Sequence, residues 1–337
     1  MSHLLVLGGG ISARSALFSL SKTQNKRFDR ITVFENSAEF PPCSLSSTAI
    51  VAPRGVTSGH SDLGDLLMKG FMAFKKHVEE DRPMGVKKIP QYTGAKTKID
   101  EFQKRYPLGR VTSKAGDISI AEIYLAEESA FAIQTQAYLD WLLAEAQKKM
   151  SITLKTASVL NVQNMGNRIE LQTNHGETYS GDHILFCGGV YQNFWAPLFQ
   201  EERISKSKCV QGSYLEFTET NLGDKSFSMT LEGNNLIYHA DEKILLIGST
   251  TQEVRHHLAP MEKLRGIYDK ISRDVKLELP GFKQGIVKTG LRDKAPKRLP
   301  YVMSNPAISA MGGFYKNGFT LSLVISQSWL SQISETP

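Results

Sequence analysis

The apolar positions of this chain fall into two periods, one of strands and one of helices. Residues 4–7 (Leu-Leu-Val-Leu) form a continuous apolar run too short for a helix, the pattern of a strand buried on both faces of a parallel sheet. Residues 11–20 follow with helical spacing, and residues 30–35 (Arg-Ile-Thr-Val-Phe-Glu) read as a second strand. Leu63, Leu66, Leu67, Phe71 and Phe74 predict a helix over 62–78. Tyr138, Leu139, Leu142, Leu143 and Ala146 predict another over 135–150, with Thr135 as its cap. Between them lie short strand-like runs such as 86–90 and 118–123, broken by Gly and Pro, and residues 129–133 lead into the second helix. Further strands are expected at 151–154, 157–162, 168–173 and 184–187, the last ending in Gly188-Gly189. β patterning returns at 212–217, 236–239 and 243–250, as an antiparallel set separate from the parallel one. A helix over 261–279, strand-like residues 299–302, a glycine-rich phrase at 311–321 and a C-terminal helix to about 333 complete the chain.

The punctuation between the first strand and helix carries chemistry. Gly8-x-Gly10-x-x-Ala13 stands where a strand turns into a helix. Gly8 permits the tight turn, Gly10 lets backbone approach a pyrophosphate, and Ala13 allows close helix–strand packing. A diphosphate there would meet the free N–H groups of a helix start, with Ile11 and Ser12 in the first turn. The next strand ends in Glu35, whose carboxylate can accept both hydroxyl hydrogens of an adenosine ribose. Its distance from Gly8 exceeds the usual spacing of about 20 residues, and the polar run 22–26 supplies the surplus as a surface loop. These features indicate a dinucleotide, nicotinamide or flavin. The hydroxyl-rich stretch Ser46-Ser47-Thr48 reads either as turn and cap residues or as donors to such a cofactor.

A chain of 337 residues is long enough for two domains, and 41% hydrophobic with 22% charged residues is ordinary for a globular protein. The formal charge of +6 favours anionic small molecules, and no basic–aromatic interleaving points to nucleic acid. Cys43, Cys187 and Cys209 are sparse, odd in number and outside any metal-ligand spacing, which suits free thiols in a reducing compartment and no metal site. No apolar run is long enough to span a bilayer, and the N-terminus has no signal-peptide pattern, so a cytoplasmic location is expected.

Taken in order, several motifs resemble the D-amino-acid oxidase/glycine oxidase family of FAD-dependent oxidoreductases. They are Gly8-x-Gly10-x-x-Ala13, Glu35 at a strand end, Ser46-Ser47-Thr48, Val159 before a three-strand excursion, and Phe186-Cys187-Gly188-Gly189. Gly212, Ile247-Gly248-Ser249-Thr250, Gly290-Leu291-Arg292 and Gly312-Gly313-Phe314-Tyr315-Lys316-Asn317-Gly318 complete the series, which spans nearly the whole chain. The resemblance implies an α/β fold: a Rossmann-like FAD-binding domain with a mainly parallel sheet, plus a substrate domain of α+β type with an antiparallel sheet. The first would be assembled from residues 1–80, 140–205 and 290–337, the second from 81–139 and 206–289. It implies non-covalent FAD held by Gly8, Gly10, Ile11, Ser12, Ala13, Glu35, Ser46, Ser47, Thr48, Val159, Gly188 and Gly189. The glycine-rich phrase would add Gly313, Phe314, Tyr315, Asn317, Gly318, Phe319 and Thr320, beside the flavin ring.

The family reaction takes a hydride from a carbon bearing an amine or hydroxyl and delivers it to flavin N5. Arg292 matches the family's carboxylate-binding position, where a planar guanidinium can make two parallel bonds. Tyr238 is the second catalytic candidate, as a substrate-contacting tyrosine. The expected substrate is a small-molecule carboxylate: a D-amino acid, glycine or an N-substituted glycine, with oxygen or a quinone as electron acceptor. A dehydrogenase of a 2-hydroxy acid or glycerol phosphate shares the fold, and a flavin-dependent tRNA-modifying domain is a third reading. The sequence departs from the family after Arg292, where Asp293-Lys294-Ala295-Pro296-Lys297-Arg298 is basic and suggests a more acidic substrate.

Overall fold

The computed structural model describes residues 2–335 except 24–26, 37, 39–40, 54–55, 57–58, 167 and 200. In chain order its first third carries β1 (His3–Leu7), α1 (Ile11–Lys22), β2 (Arg30–Glu35), β3 (Ile50–Val51), α2 (Asp62–Asp81) and β4 (Val86–Ala95). Then come α3 (Ile99–Arg105), β5 (Arg110–Ala115), β6 (Ile118–Ile133), α4 (Thr135–Gln147) and β7 (Ser151–Thr156). β8 (Val159–Asn164), β9 (Ile169–Thr173), β10 (Thr178–Gly181), β11 (His183–Phe186), α5 (Glu202–Ser205) and β12 (Lys208–Phe217) follow. The last third holds β13 (Phe227–Leu231), β14 (Asn234–His239), β15 (Ile244–Gly248), α6 (Met261–Asp274), β16 (Ile286–Lys294), β17 (Tyr301–Ser304), β18 (Ile308–Gly312) and α7 (Gly318–Glu335).

One sheet has the order β17-β18-β11-β1-β2-β7 and is parallel except for β17. Its central strand β1 is buried along its whole length, which is what its unbroken apolar run requires. Helix α1 is buried on nearly every side, between α4 and α7. It fits because many of its buried positions are small: Ser12, Ala13, Ser15, Ala16 and Ser19, with Ser15 Oγ donating to Ser322 Oγ of α7 at 2.9 Å. Because β1 has neighbours reached in opposite chain directions, the carboxyl ends of β1, β2, β11 and β18 open on a common crevice. Gly8, Glu35, Cys187 and Gly313 stand at those ends.

A second sheet of nine strands runs β16-β12-β15-β14-β13-β4-β6-β3, with β5 added on β6, and β8–β10 form a small antiparallel sheet. The large sheet takes β3 and residues 290–294 of β16, which lie within segments assigned to the cofactor domain on sequence grounds. The short strand expected at 118–123 continues to Ile133, because Glu127 and Glu128 interrupt the apolar pattern without interrupting the pairing to β4. The helix expected over 261–279 stops at Asp274. There Val275 bridges Ile120, Lys276 N–H donates to Ser119 at 2.9 Å, and Leu277 and Leu279 enter the core as extended chain. Among the described residues no helix is long and apolar enough to cross a membrane.

Four histidines are buried, and burial holds each imidazole below its ordinary pKa. His183 is pushed down to about 4, with Nε2 against Ser309 Oγ (2.7 Å) and Nδ1 against the Pro306 carbonyl (3.1 Å). His3, His77 and His239 are lowered by the same cause. The folded state therefore binds fewer protons than the unfolded chain between about pH 6.5, the free imidazole value, and the depressed values. Stability is full above that window and falls on acidification, by at most about 1.4 kcal/mol per pH unit for each such histidine. Thermal unfolding should show a midpoint well below its neutral value at about pH 5, and His183→Asn should flatten that loss; a midpoint indifferent to pH across the window would contradict the assignment.

Candidate active site

The crevice at the strand ends opens into one cleft of about 1020 Å³ that runs from the six-stranded sheet to the large nine-stranded one. That volume is at the top of the roughly 300–1,000 Å³ of small-molecule and cofactor sites. At one end Gly8 has φ +105°, and a Cβ there would stand 2.5 Å from the Cys187 carbonyl oxygen. A Cβ on Gly9 would fall 1.5 Å from Glu35 Oε2, so the acid lies directly over this backbone. α1 begins at Gly10 with no side-chain cap except Ser44 Oγ, which accepts Ile11 N–H at 3.3 Å, and with no acid in the first turn. α7 also begins at the cleft, where Gly318 and Phe319 line it. Two helix starts facing one space suit an anionic group.

Glu35 is held by a residue that sequence patterns did not single out. Arg14 Nη2 donates to both its carboxylate oxygens (2.9 and 3.2 Å), while Arg14 Nε donates to the Gly9 carbonyl at 3.1 Å. The arginine is buried behind the turn, so the carboxylate is oriented from one side and open to the cleft on the other. Each oxygen keeps a lone pair for a ribose hydroxyl.

Of the cofactor residues expected from sequence, Gly8, Gly10, Ile11, Ser12, Glu35, Ser47, Thr48, Val159, Gly188 and Gly189 line this cleft. So do Gly313, Phe314, Tyr315, Gly318 and Phe319, together with Arg292. Ala13, Ser46, Asn317 and Thr320 sit behind that surface. Ala13 is in the core, and Ser46 packs on Gly290. Asn317 accepts Leu321 N–H at the start of α7, and Thr320 presses its carbonyl toward Gly70. Tyr238 is a correction: it is fully buried on the opposite face of the large sheet, its ring 5.8 Å from that of Phe227. Strand alternation decides this, because Leu236 and Tyr238 share the core face while Asn235 takes the cleft face.

Arg292 projects from β16 across β12. A Cβ on Gly212 would lie 1.9–2.3 Å from the guanidinium atoms, so only a glycine leaves room for it. Among the described residues no carboxylate pairs with Arg292, and its Nη1 is buried without a hydrogen-bond partner. Cys43 is near it; burial pushes that thiol up and the arginine's charge draws it part-way back. The next residue, Asp293, turns the other way. Its Oδ2 accepts from Tyr301 Oη (2.8 Å) and Gly313 N–H (2.7 Å), its carbonyl accepts Tyr315 N–H (2.8 Å), and its Oδ1 has no partner. Burial pushes this carboxyl above the usual range against those hydrogen bonds. The arginine strand and the glycine-rich phrase are thereby stitched together. The basic stretch beyond Asp293 does not serve the cleft: Lys294 pairs with Glu253 at 2.8 Å, as Lys208 does at 3.0 Å. The cleft also takes Thr93, Arg105, Tyr106, Thr230, Asn235 and Ser249 from the large sheet and α3, a set gathered only by strand pairing.

These residues fit a flavin dinucleotide: a ribose acid, two helix starts for the diphosphate, and a glycine-lined slot for a broad ring. Arg14→Met should leave Glu35 without its charged partner. We expect cofactor affinity, followed by flavin fluorescence on release, to fall by roughly tenfold, the loss of one charged hydrogen bond. Unchanged affinity would show that Glu35 needs no support.

Comparison with known proteins agrees with this geometry. The family described as FAD dependent oxidoreductase (DAO) matches residues 3–331. Among solved structures, glycine oxidase from Geobacillus kaustophilus superposes with a TM-score of 0.77 at 16% identity, covering 100% of this chain and 96% of that one. Iminodiacetate oxidase from Chelativorans sp. BNC1 gives 0.77 at 15% identity, covering 99% and 96%. L-alpha-glycerophosphate oxidase from Mycoplasma pneumoniae, with FAD bound, gives 0.75 at 16% identity, covering 99% and 95%. Identities this low establish the fold alone; the family match extends over almost the entire chain and carries the cofactor with it. The chain belongs to the DAO family of FAD-dependent oxidoreductases, enzymes that act on CH–NH or CH–OH donors.

Proposed function

We propose that the protein oxidises an amine that carries a carboxylate, an amino acid or N-substituted glycine, to the corresponding imine. The observation that carries this reading is Arg292: a guanidinium inside the cofactor cleft, seated on Gly212, with a buried Nη1 and no carboxylate partner among the described residues. A buried donor without a partner is costly, and a substrate carboxylate would satisfy it with two parallel bonds. When bound, FAD supplies the hydride acceptor, and the amine nitrogen gives up a proton as the C=N bond forms.

The protein's contribution is placement. Arg292 fixes the carboxylate end of the substrate. Asp293 and Tyr301 tie the strand of that arginine to Gly313, so the substrate anchor and the cofactor-side turn keep one spacing. Gly8, Gly188 and Gly313 let backbone approach the dinucleotide, and Arg14 orients Glu35 toward its ribose. We place the final electron acceptor as oxygen or a quinone. A cytoplasmic setting is supported by the three free cysteines.

Anaerobic mixing of the holoenzyme with amino acids, N-methylglycine, 2-hydroxy acids and glycerol phosphate should bleach the flavin absorbance with amines. Bleaching by the hydroxyl compounds alone would replace this reading with the dehydrogenase one. Arg292→Met should raise KM roughly 100-fold while FAD stays bound, the loss of a bidentate charged contact. Gly212→Ala should do the same by displacing the guanidinium. An unchanged KM in both variants would remove Arg292 from substrate binding.

A further inference from the structure

The large sheet has two unlike faces. One is apolar, with Met229, Leu236, Tyr238 and Leu245 packed beneath α6. Alternation puts the intervening residues on the other face. That face is apolar where Tyr214, Ile237 and Leu246 pack together, and polar where it meets the cleft: Thr93 on β4, Thr230 on β13 and Asn235 on β14, with Ser249, just past β15, lining the cleft beside them. Thr93, Thr230 and Asn235 lie in register as a row. Thr230 stands opposite both Thr93 and Asn235, and Asn235 stands opposite Gly248. The next strand along is β12, where Gly212 carries the guanidinium of Arg292.

The row is internally braced and outwardly unspent. Gln91 Nε2 donates to Thr230 Oγ1 (3.3 Å), which donates to Asn235 Oδ1 (2.8 Å). Among the described residues, Asn235 Nδ2 and the hydroxyls of Thr93 and Ser249 make no hydrogen bond. From β12 to β4 there are four strand spacings of about 4.8 Å, so the row extends about 19 Å from the anchor. Glycine, N-methylglycine and D-alanine reach no further than about one residue repeat, 3.8 Å. A site for them alone needs neither the length nor the hydrogen-bonding floor, and an apolar substituent would strip water from these groups without repaying them.

We propose that the substrate is an amino acid whose nitrogen carries an extended hydroxyl- or amide-bearing substituent, laid across Ser249, Asn235, Thr230 and Thr93. This rests on Arg292 as the carboxylate anchor of the proposed function. The α-carboxylate sits on the guanidinium, and the substituent runs away from it toward Tyr106, whose carbonyl is fixed by Tyr124 Oη of β6 at 2.9 Å. Asn235 and Thr230 are specificity residues for that tail.

The test compares three glycine derivatives on the FAD-loaded enzyme: N-methylglycine, N-benzylglycine and N-(1-deoxyfructosyl)glycine. Affinities are read both from kinetics and from perturbation of the flavin spectrum under anaerobic conditions. The fructosyl compound should exceed the benzyl compound in kcat/KM by about 100-fold, as expected where a site is built to hydrogen-bond its ligand. Asn235→Leu should cut that preference about tenfold through KM. Thr230→Val should act likewise, with Thr230→Ser restoring the preference and reporting that the fold is intact. Equal or better turnover of the methyl or benzyl compound overturns the tail and leaves the amine reading standing. Bleaching by none of the three while free amino acids bleach the flavin overturns the tail alone; bleaching by no amine at all overturns the amine reading and the tail together.

Discussion

The structure depends on backbone lying against backbone at Gly8. With φ at +105° and the Cys187 carbonyl 2.5 Å from where a Cβ would be, β1 and β11 end in contact rather than merely side by side. That contact brings together chain segments far apart in sequence. The Gly8 turn, the Glu35 strand end and the Gly188 turn all face one crevice, and β18 delivers Gly313 beside them. A side chain at Gly8 would force the two strand ends apart, and with them the walls of the cofactor cleft.

The second constraint joins the two sheets. β16 belongs to the large sheet, yet its consecutive residues serve different walls of the cleft. Arg292 crosses Gly212 and lines the cleft, while Asp293 receives Tyr301 and the Gly313 N–H. The period of two in a strand does this without any special loop. Arg292 and the Gly313 turn are therefore tied through adjacent residues, and Arg292 Nη1 is left without a hydrogen-bond partner among the described residues. Two-faced strands recur across the large sheet: one face packs under α6, and the other is apolar at Tyr214, Ile237 and Leu246 but presents Thr93, Thr230 and Asn235 where it meets the cleft.

What the sequence made legible was local. Gly8, Gly10 and Glu35 announce themselves because the turn, the helix start and the next strand end lie within a short span. Arg292 stood out through Gly290-Leu291-Arg292, and the cleft contains it. Tyr238 was misplaced because strand parity depends on a register that pairs β14 with β13 and β15, which no local pattern records. The basic stretch after Arg292 pointed to an acidic substrate only until Glu253, distant in sequence, proved to pair with Lys294 and Lys208. No pattern singles out Arg14, and its burial against Glu35 follows from how tightly α1 is enclosed by α4 and α7. The row from Ser249 to Thr93 comes from four strands and exists only once they are paired.

The central claim is that Arg292 anchors a carboxylate against the bound cofactor. It is tested most directly by a crystal structure of the FAD-loaded protein with a non-oxidisable carboxylate such as acetate. The account predicts both carboxylate oxygens on the Arg292 guanidinium, above Gly212 and facing the flavin ring. A carboxylate seated elsewhere, or Arg292 engaged by a side chain of the protein itself, would contradict it.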